Sequence, residues 1–445
     1  MPMKPMRPMM QAKHSLGLIF FPAFDWAISP THPEREERLL YTQDQIFEEG
    51  LADVEGIHVL NPDLASYQDV YRVHFPYPSA EARVTPSHLI SAGGFIRALE
   101  AVEEDQVDKA FAIVRPPGHH AHRVVYGDRG FCIINVEAVG LEHLRVKKPD
   151  LRVAIVDTDC HHGDGTQDIY WNDPNTLYIS FHQDGRTLYP GTGFIDEAGG
   201  PGAFGLNVNI PLPPNTGDEG FLYVLDRVVL PILEEYKPDL IINSAGQDNH
   251  YSDPLTNMNF SAQGYAELNH RLNPDVAILE GGYSIQSALP YVNTGIVAAM
   301  AGLDYSQIKE PDYDLGRWKQ SRSITAQIEK ICDEVLDQWQ HRESLAAKRF
   351  AGLSWVQRKK QIYYDTDDIL EQQSNFYRVC PSCPGLTYLE SVSTTGGRIF
   401  AVQIPLHACP SCQEEGLALF EEAVDKKTYK RSYLQDRVHE TYLQK

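Results

Sequence analysis

LRVAIVDTDCHHGDGTQDIYW, residues 151–171, is the stretch that decides the fold. Leu151 to Val156 is a short, almost unbroken apolar run rich in β-branched residues, the pattern of a strand covered on both faces. Similar runs stand at Leu16 to Phe21, Ala112 to Val114, Leu177 to Ser180, Leu240 to Asn243 and Val276 to Leu279, with helical patterns such as Leu89 to Val102 and Phe221 to Tyr236 between them. Hydrophobic strands alternating with helices specify a doubly wound α/β domain around a parallel sheet. Ligands bind such sheets where the carboxyl ends of the strands open into a crevice. Four polar clusters fall at such ends: RPPGHH (115–120), DTDCHHGDG (157–165), SAGQD (244–248) and EGGY (280–283).

Asp159 and His161 alternate in an extended segment, so both side chains leave on one face and can reach one metal ion. Asp248 follows the small residues Ser244, Ala245 and Gly246 and is the third candidate ligand. Two carboxylates and an imidazole leave a zinc ion an open position for water. An Asp-x-His pair alone is more readily a hydrogen-bonded loop; the neighbouring clusters reverse that and favour the metal. One of His119 and His120 could act as general base on that water while the other stabilises charge, with Asp157 and Asp164 as the carboxylates that fix their tautomers. Tyr283, after two glycines, can donate to an oxyanion, a packed core tyrosine being the alternative.

RPPGHHA, GFCIIN (130–135), DTDCHHGDGTQDIYW, YPGTG (189–193), GQDNHYSDPL (246–255) and LEGGY (279–283) resemble the histone deacetylase family in order and spacing, over about residues 15 to 345. The resemblance implies the arginase/deacetylase-like fold and the company of bacterial deacetylase-like amidohydrolases acting on acetyl-lysine, acetylpolyamines and related amides. It implies zinc on Asp159, His161 and Asp248, His120 as principal base and acid with His119 as its partner, and Tyr283 polarising the acyl carbonyl. Gly130, Phe131 and Tyr189 match the substrate channel, the two rings its aromatic walls. Arg38 matches an arginine near the internal acetate-release region, and Asp157, Asp159 and Ser180 a monovalent-cation site, usually potassium, for which a buried hydrogen-bond network is the alternative. Departures from the family pattern are Gln247 and Asn249, expected to alter rim polarity, and Leu255, where polyamine-selective relatives carry a glutamate. Arginase chemistry on the same fold needs a second metal, and Asp248-Asn249-His250 lacks the second carboxylate.

Cys380, Cys383, Cys409 and Cys412 form two CxxC pairs around a β-like segment, Leu386 to Ile404, with a turn at Gly396-Gly397. Four thiolates at this spacing predict a zinc ribbon, a structural staple more readily than a nucleic-acid reader; redox disulfides or free thiols are the alternatives. Residues 1–14 read as a disordered segment, 15–345 as the catalytic domain, 346–375 as a linker with some helix, 376–416 as the ribbon and 417–445 as a tail. The helical pattern Ile324 to Trp339 closes the catalytic domain.

A net charge of −22 disfavours nucleic acid and anionic membranes. Neither a secretory leader nor a run of about 18 apolar residues is present, and scattered remaining cysteines suit a reducing compartment, so a cytoplasmic protein is expected. The function implied is zinc-dependent hydrolysis of an N-acyl amide, foremost acetylated lysine in a protein or peptide. An acetylpolyamine or other small-molecule amidohydrolase and a silent acyl-lysine reader are the rivals.

Overall fold

The computed structural model describes residues 10–20, 28, 32–35, 37–314 and 316–445. The first ten strands run β1 (Gln11–Ile19), β2 (Glu55–Leu60), β3 (Phe75–Pro76), β4 (Lys109–Ala112), β5 (Val124–Val125), β6 (Val153–Asp157), β7 (Thr176–Gln183), β8 (Asn207–Leu212), β9 (Leu240–Ala245) and β10 (Val276–Leu279). Eight of them make one sheet in the order β2-β1-β4-β10-β9-β6-β7-β8, and every neighbouring pair is parallel. β4, β6, β7, β8 and β10 are buried along their whole length, as strands covered by helices on both faces must be. The four strands that end in the four polar clusters, β4, β10, β9 and β6, are neighbours in the middle of the sheet. Their loops therefore meet at one point of one rim.

Three expectations need correction. Residues 11–14, assigned to a disordered segment, are the start of β1; residues 1–9 lie outside the described part. The helix expected from Phe221 to Tyr236 is interrupted by a wide turn at Leu225–Val229 just before Pro231, which has no N–H to continue the ladder. The linker and tail are folded. Helix Arg322–Phe350 is followed by β11 (Trp355–Tyr364), β12 (Ile369–Arg378), β13 (Thr387–Ser393), β14 (Arg398–Ile404), helix Pro410–Lys426, β15 (Arg431–Asp436) and β16 (Thr441–Gln444). These strands form a six-stranded sheet in sequence order, antiparallel except for β14 with β15, and the helix connects that one parallel pair.

The second sheet docks on the first domain through a shared core. Ile362, Tyr364, Ile369, Leu389, Ile399 and Tyr433 pack with Phe75, Val124 and Tyr126. On its other side Phe400, Val402 and Ile404 pack under Phe420 and Ala423 of the helix. Around the apolar contact the docked face is polar, with Glu371, Gln373, Asn375 and Ser391 buried. Among the described residues no helix is long and apolar enough to cross a membrane.

Candidate active site

At the central rim, one ligand atom each from Asp159, His161 and Asp248 lies within 4.8 Å of the others. His161 Nδ1 is 2.7 Å from Asp248 Oδ2 and 3.3 Å from Asp159 Oδ1. The remaining oxygens are spent on orientation: Asp159 Oδ2 accepts the Gly281 N–H at 2.6 Å and Asp248 Oδ1 the Cys160 N–H at 2.7 Å. Close approach of the loops requires glycine. A Cβ on Gly246 would stand 2.0 Å from Asp159 Oδ2, and one on Gly281 2.5 Å from Asp248 Oδ2. Two fully buried carboxylates forced together need a cation between them. In the metal-free chain a proton fills that role: burial opposes it, but Asp248 and Asp159 raise His161 to about 10. A divalent cation fits the same oxygen and imidazole donors and displaces that proton.

Two histidines stand beside the cluster, each on its own carboxylate. His119 Nδ1 is 3.2 Å from Asp157 Oδ2, and His120 Nδ1 is 2.9 Å from Asp164 Oδ1. Both rings are buried with centroids 4.1 Å apart, and His119 Nε2 lies 3.8 Å from Asp159 Oδ1. Their environments push them in opposite directions. Burial and the neighbouring His119 charge take His120 down to about 3, whereas for His119 the charges of Asp159 and Asp157 outweigh burial and hold it well above its usual range. Asp164 also accepts from His122 Nε2 at 3.1 Å and pairs with Arg129 Nη2 at 2.6 Å; the Arg129 cation overrides burial and keeps it well below the carboxylate range.

Tyr283 lies over the Arg38 guanidinium, 4.7 Å from its ring centre, and edge-on to Phe131 at 5.6 Å. Its N–H is held by Asp253 Oδ2 at 2.7 Å, and Asp253 also closes the turn carrying the partly exposed Leu255. Tyr189 faces His120 edge-on at 5.1 Å. Gly130, at φ +52°, and Phe131, at φ +69°, sit on a left-handed bend so close to His120 that a Cβ on Gly130 would come within 2.4 Å of the imidazole. Arg38 is buried, donating to Glu34 Oε2 at 2.6 Å and the Glu280 carbonyl at 2.9 Å. Asp157 and Ser180 are paired in register on β6 and β7, and Ser180 Oγ contacts His182 Nδ1 at 2.8 Å.

Gln247 and Asn249 were expected to change the rim and do not reach it. Both are buried, Gln247 against Asn293 and Asn249 donating to the Thr158 carbonyl at 2.7 Å, because residues this close to the end of β9 still pack inside the sheet layers. Residues that sequence reasoning missed are Glu34 and Arg115, which fix Arg38 and the Glu280 carbonyl, and Arg129, His122 and Asp168 behind His120. His122, two residues past His120 in RPPGHHAH, was the one with a signal.

The cysteines form a second cluster, with four Sγ atoms mutually within 4.8 Å and Cys380 Sγ 3.8 Å from Cys409 Sγ. A tetrahedral zinc with Zn–S of about 2.3 Å demands an S···S edge of about 3.8 Å, so the site fits. Cys409 is the residue before helix Pro410–Lys426, and Cys412 lies in its first turn. The second pair thus sits at a helix start, whereas a plain ribbon carries both on β-hairpins. Among the described residues these two clusters are the groups arranged for metal.

A parallel α/β sheet whose central strand ends gather three residues able to hold a metal ion and two histidine–carboxylate pairs defines the arginase/deacetylase class. Residues 77–300 match the family model described as the histone deacetylase domain, and the chain belongs to that family of deacetylases and amidohydrolases. It is 44% identical over 336 residues to a probable deacetylase of Archaeoglobus fulgidus, covering 69% of this chain and 92% of that one. A histone deacetylase-like amidohydrolase of Pseudomonas aeruginosa is 34% identical over 231 residues, 50% of this chain and 60% of its own. The crystal structure of the HDA15 HD domain superposes with a TM-score of 0.62 at 26% identity, covering 76% of this chain and 99% of that domain.

Proposed function

We propose that the chain is a zinc-dependent deacetylase that hydrolyses N-acyl amides, foremost acetylated lysine in a protein or peptide. The observation that carries this is the meeting of His119 and His120, each anchored through Nδ1 on a separate carboxylate, with the Asp159–His161–Asp248 cluster. Zinc held by those three residues supplies acidity to a water and polarises the acyl carbonyl. Asp164 keeps His120 with its proton on Nδ1, leaving Nε2 free to take a proton from the water and deliver it to the departing amine. His119, oriented through Nδ1 by Asp157, stabilises negative charge, and Tyr283 donates to the developing oxyanion. Phe131 and Tyr189 flank a flexible aliphatic stem. Asp157, Asp159 and Ser180 would hold a potassium ion, and the four cysteines would hold a structural zinc.

A second substrate class, acylated polyamines, is favoured by the carboxylate of Asp365. It accepts from the Gly130 N–H at 2.8 Å and lies 3.4 Å from the Tyr189 hydroxyl, so the rim has an anion despite leucine at 255. The deciding experiment offers the purified protein a fluorogenic acetyl-lysine peptide, an acetylpolyamine and a longer acyl-lysine, with and without a chelator. Chelator-sensitive turnover of the peptide is expected. Absence of turnover on all three with zinc bound refutes the proposal.

A further inference from the structure

Granting that activity, we propose that the β11–β12 hairpin of the C-terminal sheet is a positioning element of the active site itself, acting on His120 through Lys360 and on the substrate loop through Asp365 and Asp367. Lys360 leaves β11 toward the catalytic domain and forms a hydrogen-bonded ion pair with Asp168. Asp168 Oδ2 lies 3.3 Å from His122 Nδ1, an ion-pair separation without hydrogen-bond alignment. His122 Nε2 is 3.1 Å from Asp164 Oδ2, and Asp164 Oδ1 is 2.9 Å from His120 Nδ1. Every side chain in this row is at most 10% exposed. Basic and acidic side chains alternate along it, hydrogen-bonded at every step but Asp168–His122, where the two groups are in close contact, and such outer partners tune a catalytic imidazole.

The tip of the same hairpin grips the loop on the other side of His120. Asp367 Oδ2 accepts the Asp128 N–H at 2.7 Å, in space left by Gly127, where a Cβ would come within 2.2 Å of that oxygen. Asp365 Oδ1 accepts the N–H of Gly130, the residue pressed against His120 and Tyr189. Tyr364 seats the strand end by donating to the Val124 carbonyl at 2.9 Å. Docking alone would be served by an apolar face, and the Ile362–Tyr433 cluster provides one. A buried lysine–carboxylate pair beside it carries a desolvation cost that an apolar face avoids, so docking alone does not account for it.

The test uses the full chain. Lys360→Met removes the cation, Lys360→Arg keeps it, and Asp365→Ala removes the grip on Gly130 from an exposed position. Lys360→Met is expected to lower kcat about 10-fold or more with KM and zinc content unchanged, with Lys360→Arg recovering most of it. Asp365→Ala is expected to raise KM about fivefold with a smaller effect on kcat. A folded Lys360→Met with kcat within about twofold of wild type overturns the proposal even if its melting temperature falls, because that pattern is packing alone. If Lys360→Met does not fold, Asp365→Ala decides, and an unchanged KM overturns it. A wild type inactive on every acyl amide refutes the deacetylase assignment instead. The hairpin's role is then read from 15N NMR of the imidazoles: a change in the His120 tautomer in Lys360→Met that Lys360→Arg does not show supports it, and identical His120 signals in wild type and Lys360→Met overturn it.

Discussion

Replacing Asp164 by asparagine keeps the shape of the group behind His120 and removes only charge and acceptor capacity. The carboxylate faces donors on both sides: His120 Nδ1 at Oδ1, and His122 Nε2 with Arg129 Nη2 at Oδ2. An amide offers one oxygen. If it faces Arg129 and His122, its NH2 faces His120 Nδ1, which must then accept, and the imidazole proton moves to Nε2, where the base has to be free. If it faces His120, the NH2 abuts a guanidinium that can only donate. The first arrangement removes the base and predicts a fall in kcat of about 10²- to 10⁴-fold. Either way Arg129 loses its counter-charge, and the second also turns an amide N–H against the buried guanidinium, with nothing left to accept from it, at a cost on the scale of about 3–5 kcal/mol. Arg129 is 7% exposed, too little for water to relieve it, so the first is favoured and kcat bears the loss. Steady-state kinetics on an acetyl-lysine peptide, alongside zinc content and a thermal melt, separate the two. A protein with normal zinc, normal melting and kcat within about threefold of wild type refutes the assignment of His120 as base.

Tyr283→Phe should retain zinc and lose turnover by about 10²-fold or more, the scale of one oxyanion donor, and unchanged kcat contradicts that role. Asp248→Ala should lose the catalytic zinc, measured by elemental analysis, while the cysteine-bound ion stays; loss of both or neither refutes the division into two sites. Burial lowers His74 to about 4 and His88 and His182 to about 3. Since the unfolded chain binds these protons near pH 6.5 and the folded chain does not, stability is full above that pH and falls below it, by up to about 1.4 kcal/mol per unit for each histidine until the folded values are reached. Urea midpoints at pH 7, 6 and 5 test this, and a flat profile refutes it.

What the sequence made legible follows from which faces of each element are apolar. β6, β9 and β10 are almost wholly buried, so their runs stand out, and the loops at their ends carry Asp159, His161, Asp248 and Tyr283 whatever the sheet order. β8 is equally buried yet hidden, because Asn207 and Asn209 point inward to Gln167 Oε1 at 2.7 and 2.8 Å and Pro211 breaks the pattern. The first half of β1 runs past its pairing with β4, is largely exposed and carries no apolar signal. β11 and β12 bury alternate residues, but many of those residues are Lys360, Glu371, Gln373 and Asn375, so a period-two pattern in burial leaves no period-two pattern in hydrophobicity. Partners of the same kind, Arg129 and Asp168, have no motif spacing at all. Their role exists only once separate segments are brought together.

The cysteine cluster gains a second consequence from this arrangement. Cys380 follows β12 directly, and the tip at Asp365 to Asp368 lies at the opposite end of that ten-residue strand, about 33 Å away at 3.3 Å per residue. The knuckle is tied to the catalytic domain where Asn172 Nδ2 donates to the Pro384 carbonyl at 2.9 Å, and to the following helix where Arg378 meets Glu415 at 3.0 Å. A metal ion bound there would fix one end of a stiff hairpin whose other end holds Gly130. Loss of one thiolate frees the fixed end, and structural zinc contributes its binding energy to folding. Cys380→Ser should therefore reduce the zinc content from about two to about one per chain, lower the melting temperature, and reduce kcat/KM while the catalytic ion remains bound. If that variant keeps one zinc and full kcat/KM, the cysteine site stabilises its own sheet and nothing more, and the hairpin is held at the rim by its docked face alone.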